Sequence, residues 1–210
     1  ELAAMLASID EGVGALVAKL EELGIAGNTL LVFTSDNGGE TGVTTNGYLR
    51  GGKSQLYEGG IRVPMIACWP GRAKAGAVCE TPVSSIDLYP GLLDAAGLAA
   101  PRGHTVDGVS FLPLLARPQA RLKRDALYWH YPLEKPHFLG GRSAGALRKE
   151  DWKLIEFFDT DSAELYNLKA DPGEHNDLAA AEPARVKAMR QDLAAWRSAV
   201  IPAPSSPARK

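Results

Sequence analysis

The stretch that most limits the fold is an unbroken apolar run, Thr29-Leu-Leu-Val-Phe33, that stops abruptly in Thr34-Ser-Asp-Asn-Gly-Gly39. A strand with one wet face alternates polar and apolar residues. A run without alternation predicts a strand covered on both faces, as in a parallel sheet. Open α/β sheets gather ligands at the carboxyl ends of such strands, so Asp36 and Asn37 become candidate site residues. A carboxylate next to an amide carbonyl offers two hard oxygen donors suited to Ca²⁺ or Mg²⁺. An Asp-Asn-Gly run is also an ordinary turn, and the tripeptide alone leaves both readings open.

The sequence around this strand reads as an α/β region. Leu2, Met5, Leu6, Ile9, Val13, Leu16, Leu20 and Leu23 form a helical stripe that should stop at Gly24, a residue suited to a helix end. Position 1 is Glu rather than Met, and no capping residue precedes the stripe. The expectation is a chain that starts inside a helix and lacks upstream sequence. Residues 40–62 read as a long loop, Val63 to Trp69 as a second buried strand, and Ser85 to Gly97 as a helix with Pro90 in its first turn.

Character changes after Arg117. Short strands are expected at Ala126–His130, Ala144–Arg148, Trp152–Phe158 and Glu164–Leu168, with Lys149-Glu-Asp151 turning the middle pair. A last helix should open at Pro183 and carry Val186, Met189, Leu193 and Trp196 on one face. The expected division is therefore 1–117 as an α/β part, 118–201 as a small antiparallel sheet with a helix, and 202–210 as a disordered tail.

Net charge is -2 and the pI about 6.1, so no broad basic field is available for nucleic acid or an anionic membrane. An anion would have to be held by a few local cations. No apolar run is long enough to span a bilayer. The two cysteines exclude a disulfide framework and a four-thiolate zinc site. Cys68 and Cys79 could pair across a hairpin or remain buried free thiols.

One candidate cation stands out. In Asn46-Gly-Tyr-Leu-Arg-Gly-Gly-Lys-Ser-Gln-Leu-Tyr-Glu-Gly-Gly-Ile-Arg-Val-Pro64, paired glycines flank Lys53 and would let the backbone bend closely around a bound group. A lysine ammonium, compact and with three donors, suits a tetrahedral oxyanion. A flexible surface loop with a solvated lysine fits the same residues. Arg50, Glu58 and Arg62 read either as support for Lys53 or as ion pairs that anchor the loop. Asp87 reads as a cap or first-turn charge.

Taken in order, Ser-Asp-Asn-Gly-Gly, Leu-Arg-Gly-Gly-Lys, Tyr-Glu-Gly-Gly-Ile-Arg-Val-Pro and Trp-Pro-Gly resemble the sulfatase family. The resemblance continues through Ser84-Ser-Ile-Asp-Leu-Tyr-Pro90, Asp107-Gly-Val-Ser110, Asp151-Trp-Lys-Leu154, Glu164-Leu-Tyr-Asn-Leu168 and Asp171-Pro-Gly-Glu174. It covers nearly the whole chain. It implies the fold class α/β: the C-terminal part of an alkaline-phosphatase-like sandwich with a mostly parallel sheet, plus a small antiparallel-sheet-and-helix subdomain. It implies hydrolysis of sulfate esters, aryl sulfates or sulfated sugars, with a divalent cation, usually Ca²⁺ with Mg²⁺ as the alternative, and a formylglycine nucleophile. Asp36 and Asn37 match the second pair of metal ligands, and Lys53 matches the catalytic lysine that contacts the sulfate. His130, in Trp129-His-Tyr-Pro132, borders the substrate pocket or packs the subdomain. An extracytoplasmic location rests on the same resemblance.

The family's Cys/Ser-x-Pro-Ser-Arg nucleophile motif does not occur in these 210 residues, nor does its first pair of metal-binding aspartates. The chain alone is therefore expected to be inactive. Cys68-Trp-Pro-Gly-Arg72 fits a looser Cys-x-Pro-x-Arg pattern, but its place matches the Trp-Pro-Gly strand end of sulfatases and not their nucleophile helix. Two other readings fit the same residues: a phosphodiesterase or phosphonate hydrolase of the same superfamily, and a non-catalytic fragment or partner.

Overall fold

The structure, a computed structural model, describes residues 1–200; the expected tail at 202–210 lies outside the described residues. The chain forms two compact units. One joins Glu1–Asp36 to Pro64–Arg124, and the other joins Asn37–Val63 to the chain from Asp125 onward. The division thus differs from the one expected at 117/118. The glycine-rich segment belongs with the carboxyl-terminal sheet, and the basic stretch up to Arg124 belongs with the first unit.

In the first unit, helix α1 spans Leu2–Glu22 and ends with Gly24 at φ +68. The Gly24 and Ile25 N–H groups return to Glu21 and Leu20 carbonyls at 2.9 and 3.1 Å, satisfying the helix end. No residue of α1 is buried. Strand β1, Leu31–Thr34, pairs with β2, Met65–Cys68, in the register Leu31↔Cys68 to Thr34↔Met65. That pairing is antiparallel, and among the described residues it is the whole sheet. The parallel partner expected for β1 is not found among the described residues, and the pair is not covered on both faces: Phe33 of β1 and Ile66 of β2 are exposed. Cys68 and Cys79 are free and exposed, which corrects the expectation of buried or paired thiols.

The expected helix at 85–97 forms as a short 3-10 turn, Ser85–Asp87, running into α3, Leu88–Ala95. Asp87 makes it start here. Its carboxylate accepts the Ser84 and Val109 N–H groups at 2.8 and 2.9 Å and binds the Arg124 guanidinium through two 2.7 Å hydrogen bonds. Charge-assisted bonds to a fully buried carboxylate offset its desolvation. This is why Arg124 closes the first unit. Gly91 on α3 lies against the Phe111 ring, where a Cβ would stand 2.4 Å from Cε1. Phe111 precedes the short helix α4, Leu112–Ala116.

The second unit is a four-stranded antiparallel meander of β3 (Ala126–Tyr131), β4 (Ala144–Lys149), β5 (Trp152–Phe157) and β6 (Ser162–Asn167), in that spatial order. These are the four strands expected from the sequence. Glu150 adopts φ +54 in the tight turn between Lys149 and Trp152, which pair directly. Helix α5, Pro183–Val200, covers one face. Leu147, Leu154 and Leu165 meet Met189 and Leu193 there, four of the five being fully buried. On the other face Ala144, Ala146, Ile155, Phe157, Tyr166 and Leu168 pack with Leu56, Tyr57 and Trp129. Strand alternation assigns the two sets, and each buried leucine contributes about 1.5–3 kcal/mol of burial.

Candidate functional site

Asp36 and Asn37 form a bend directly after β1, Asp36 exposed and Asn37 half-buried. Here the chain passes from the first unit to the second. Within the second unit, the residues just after Asn37 are knitted to the glycine-rich segment. The Gly38 N–H donates to the Gly60 carbonyl at 2.9 Å, and the Lys53 N–H donates to the Gly39 carbonyl at 3.1 Å. The Asn46 side chain acts as a clamp. Its Oδ1 accepts the Gly39 N–H at 2.8 Å, while its Nδ2 donates to the Gly39 and Gly51 carbonyls at 3.0 and 2.9 Å.

The glycines serve this knitting. A Cβ on Gly38 would stand 1.7 Å from the Gly59 carbonyl oxygen, and one on Gly52 would stand 2.4 Å from that of Gly39. Backbone meets backbone at both places, so Gly52, one of the glycines flanking Lys53 that are expected to bend around a bound group, packs against Gly39. Lys53 itself is exposed, and its ammonium makes no ion pair among the described residues. An unpaired ammonium on a fixed turn is available to an anion.

What fixes the segment is a set of charges that sequence reasoning noticed only in part. Glu58, on the one-turn helix α2 (Glu58–Ile61), is buried and sits 2.9 Å from the fully buried Lys153 of β5. Lys153 also lies 2.8 Å from Glu174, whose other carboxylate oxygen accepts the Glu58 N–H. Arg62 and Arg148 approach Glu58 at 3.8 Å. Arg50 donates to the Tyr166 hydroxyl at 2.7 Å and the Glu174 carbonyl at 3.1 Å, and lies over the Tyr57 ring. Burial, and then the Glu164 carboxylate that both phenols bond, push Tyr57 and Tyr166 above the ordinary tyrosine range, so both stay protonated donors. Desolvation likewise raises Glu174, against the pull of Lys153. Arg50, Glu58 and Arg62 are thus anchors of the loop. The missed signal was Lys153: a charge at a position that alternates with Ile155 and Phe157 must lie on their buried face.

His130 stands apart from this cluster. It pairs with Gly145 on β4, and its ring packs 5.5 Å from Phe158. Strand alternation puts it on the face that α5 covers, opposite Leu56 and Tyr57. Desolvation, with Arg197 second, lowers its pKa below the ordinary histidine value. The structure does not bring His130 to Lys53, and of its two readings the packing one matches this placement.

Asp36 and Asn37 fit a hard cation in kind. Ca²⁺ takes about six to eight oxygen ligands, and among the described residues no cluster of three or more His, Cys, Asp or Glu side chains is placed to hold a metal. The pair would be part of a coordination shell.

Comparison with known proteins decides the family. The profile described as N-sulphoglucosamine sulphohydrolase, C-terminal, matches residues 50–198. The chain belongs to the sulfatase family. A sulfatase of Formosa agariphila is 36% identical over 93% of this sulfatase chain and 39% of its own length. Among solved structures, a protein in complex with k-i-k-neocarrahexaose matches with a TM-score of 0.80 at 32% identity, over 92% of this chain and 42% of the other. A protein in complex with its substrate D-glucosamine-2-N,6-O-disulfate matches with a TM-score of 0.77 at 31% identity, over 96% and 41%. The phosphonate monoester hydrolase of Silicibacter pomeroyi matches with a TM-score of 0.68 at 26% identity, over 91% and 39%. The chain thus spans about two fifths of these relatives, corresponding to a carboxyl-terminal portion of sulfatases.

Proposed function

We propose that this chain is the part of a sulfate-ester hydrolase that grips the sulfate through Lys53 and contributes Asp36 and Asn37 to a divalent-cation site. One observation carries the reading. The Lys53 N–H donates to the carbonyl of Gly39, two residues beyond Asn37, so within the second unit the ammonium-bearing turn is hydrogen-bonded to the backbone that follows Asn37. Buried charges below the turn hold it against the carboxyl-terminal sheet, which leaves the lysine side chain free for an anion.

The chemistry of this chain's residues follows. A sulfate ester carries one negative charge, and S–O cleavage moves further charge onto the leaving oxygen. The Lys53 ammonium binds sulfuryl oxygens and stabilises that charge. Asp36 and Asn37 would help hold Ca²⁺, or Mg²⁺ in its place, an ion that would supply charge screening for the sulfate; the formylglycine nucleophile of the proposed enzyme would not come from these residues. The chain alone is accordingly proposed to be inactive. The substrate is an aryl sulfate or a sulfated sugar. The compartment proposed, extracytoplasmic, is supported by family resemblance only.

The phosphonate hydrolase neighbour favours a second reading, phosphonate or phosphodiester cleavage on the same scaffold. Turnover of an aryl sulfate, a sulfated monosaccharide, an aryl phosphate diester and a phosphonate monoester by the protein as its gene encodes it separates the two. Sulfate esters should be cleaved fastest, and Lys53→Ala should lower kcat on them by about 100-fold. Faster cleavage of the phosphonate, or an unchanged kcat in Lys53→Ala, would overturn the sulfatase reading.

A further inference from the structure

The β3–β4 connection, residues 132–143, is a folded tip and not a slack loop. Pro132 and Pro136 restrict its backbone. The His137 N–H donates to the Gly141 carbonyl at 2.8 Å, and the Gly140 N–H donates back to His137 at 2.9 Å. The Leu139 N–H donates to His137 Nδ1 at 3.2 Å. With Nδ1 accepting, the neutral ring carries its proton on Nε2 and becomes a donor there.

This tip is fastened to the lysine turn. Gln55 Nε2 donates to the Leu139 carbonyl at 3.2 Å, and a Cβ on Gly141 would stand 2.2 Å from the Ser54 carbonyl oxygen. Ser54, next to Lys53, adopts φ +71, and its buried hydroxyl has no hydrogen-bond partner among the described residues. At the tip, Phe138 is 88% exposed and its ring stacks on His137 at 4.5 Å between centroids. An aromatic side chain is therefore held out one residue from the tether to the turn that carries Lys53.

We propose that residues 137–141 form one wall of the leaving-group pocket, with Phe138 as the platform on which the ring of the departing alcohol stacks and His137 Nε2 as a donor to its oxygens. The inference rests on the sulfatase reading above. The shared chemistry recognised is a ring with a flat apolar face, whether an aryl ring or the C–H face of a sugar. Both sit naturally on an exposed phenyl, and a sugar also offers hydroxyls to a neighbouring imidazole.

The test is steady-state hydrolysis of 4-nitrophenyl sulfate and of N-acetylglucosamine 6-sulfate by the protein as its gene encodes it, comparing wild type with Phe138→Ala and Phe138→Trp. Inorganic sulfate serves as a competitive inhibitor that lacks the ring. Phe138→Ala should raise KM by about tenfold with kcat held within about twofold, and Phe138→Trp should restore it. The inhibition constant of inorganic sulfate should not move. A KM change confined to the sugar, or to the aryl ester, identifies which ring the platform serves. An unchanged KM on both, or an equal loss of inorganic sulfate affinity, overturns the platform while leaving the sulfatase reading intact. Wild-type protein that cleaves no sulfate ester overturns the reading and the inference together.

Discussion

Helices α1 and α5 make an instructive pair. α1 is 21 residues long and carries an apolar stripe from Leu2 to Leu20, yet none of it is buried, and Leu6 is 56% exposed. α5 is 18 residues, more highly charged, and buries Met189 and Leu193 against the leucines of β4, β5 and β6. Amphipathic patterning says that a helix has a face to cover. Whether it is covered depends on what is placed opposite, and among the described residues α5 meets a partner surface in the second unit while no residue of α1 is buried. The same contrast separates the two sheets. β1 and β2 expose Phe33 and Ile66, while β4 and β5 contribute Ala146, Leu147, Leu154 and Ile155 at 1% exposure or less.

The sharpest way to break this comparison is through the charges at the base of the glycine segment. Lys153→Met leaves Glu58 and Glu174 buried without their shared cation, and should cost about 3–5 kcal/mol. Urea unfolding monitored by the signal of the second unit would measure it, and a loss below about 1 kcal/mol would mean that Arg62 and Arg148 already neutralise the pair. Next in size is a matched pair of truncations. Leu193→Ala should lose about 2–5 kcal/mol of stability, whereas Leu6→Ala should stay within about 0.5 kcal/mol. Equal losses in the same denaturation experiment would erase the distinction drawn between α1 and α5.

The smallest expected effect is a pH dependence. Desolvation holds the folded His130 below its usual 6.5, so the unfolded chain binds a proton first. Stability associated with the neutral ring is complete above that value and falls as pH drops from 6.5 towards the folded pKa. His130→Gln should flatten this segment of the stability–pH curve. An identical slope in the variant would place His130 in water and not in the packing beneath α5.

Much of this was legible beforehand. The four strands of the second unit, the turn at Glu150 and the Pro183 start of α5 follow from alternation, turn chemistry and capping, which act over a few residues. Asp87 was legible for the same reason, as a charge at a helix start. The ion cluster was not. Lys153 meets Glu58 from 95 positions away, and nothing near either residue reports such a meeting. Alternation showed that Lys153 shares a face with Ile155, but only the folded sheet showed which acids cover that face.

By itself the sequence determined the family, the order of most elements and the residue types able to hold a cation and an oxyanion, because local periodicity and ordered motifs carry that information. Tertiary structure alone decided that the glycines bring backbone against backbone, that His130 lies beneath α5, and that the Phe138 tip is tied to the Lys53 turn. Each of these depends on contacts between segments distant in the chain, whose geometry is set by packing and hydrogen-bond closure and not by neighbouring residues.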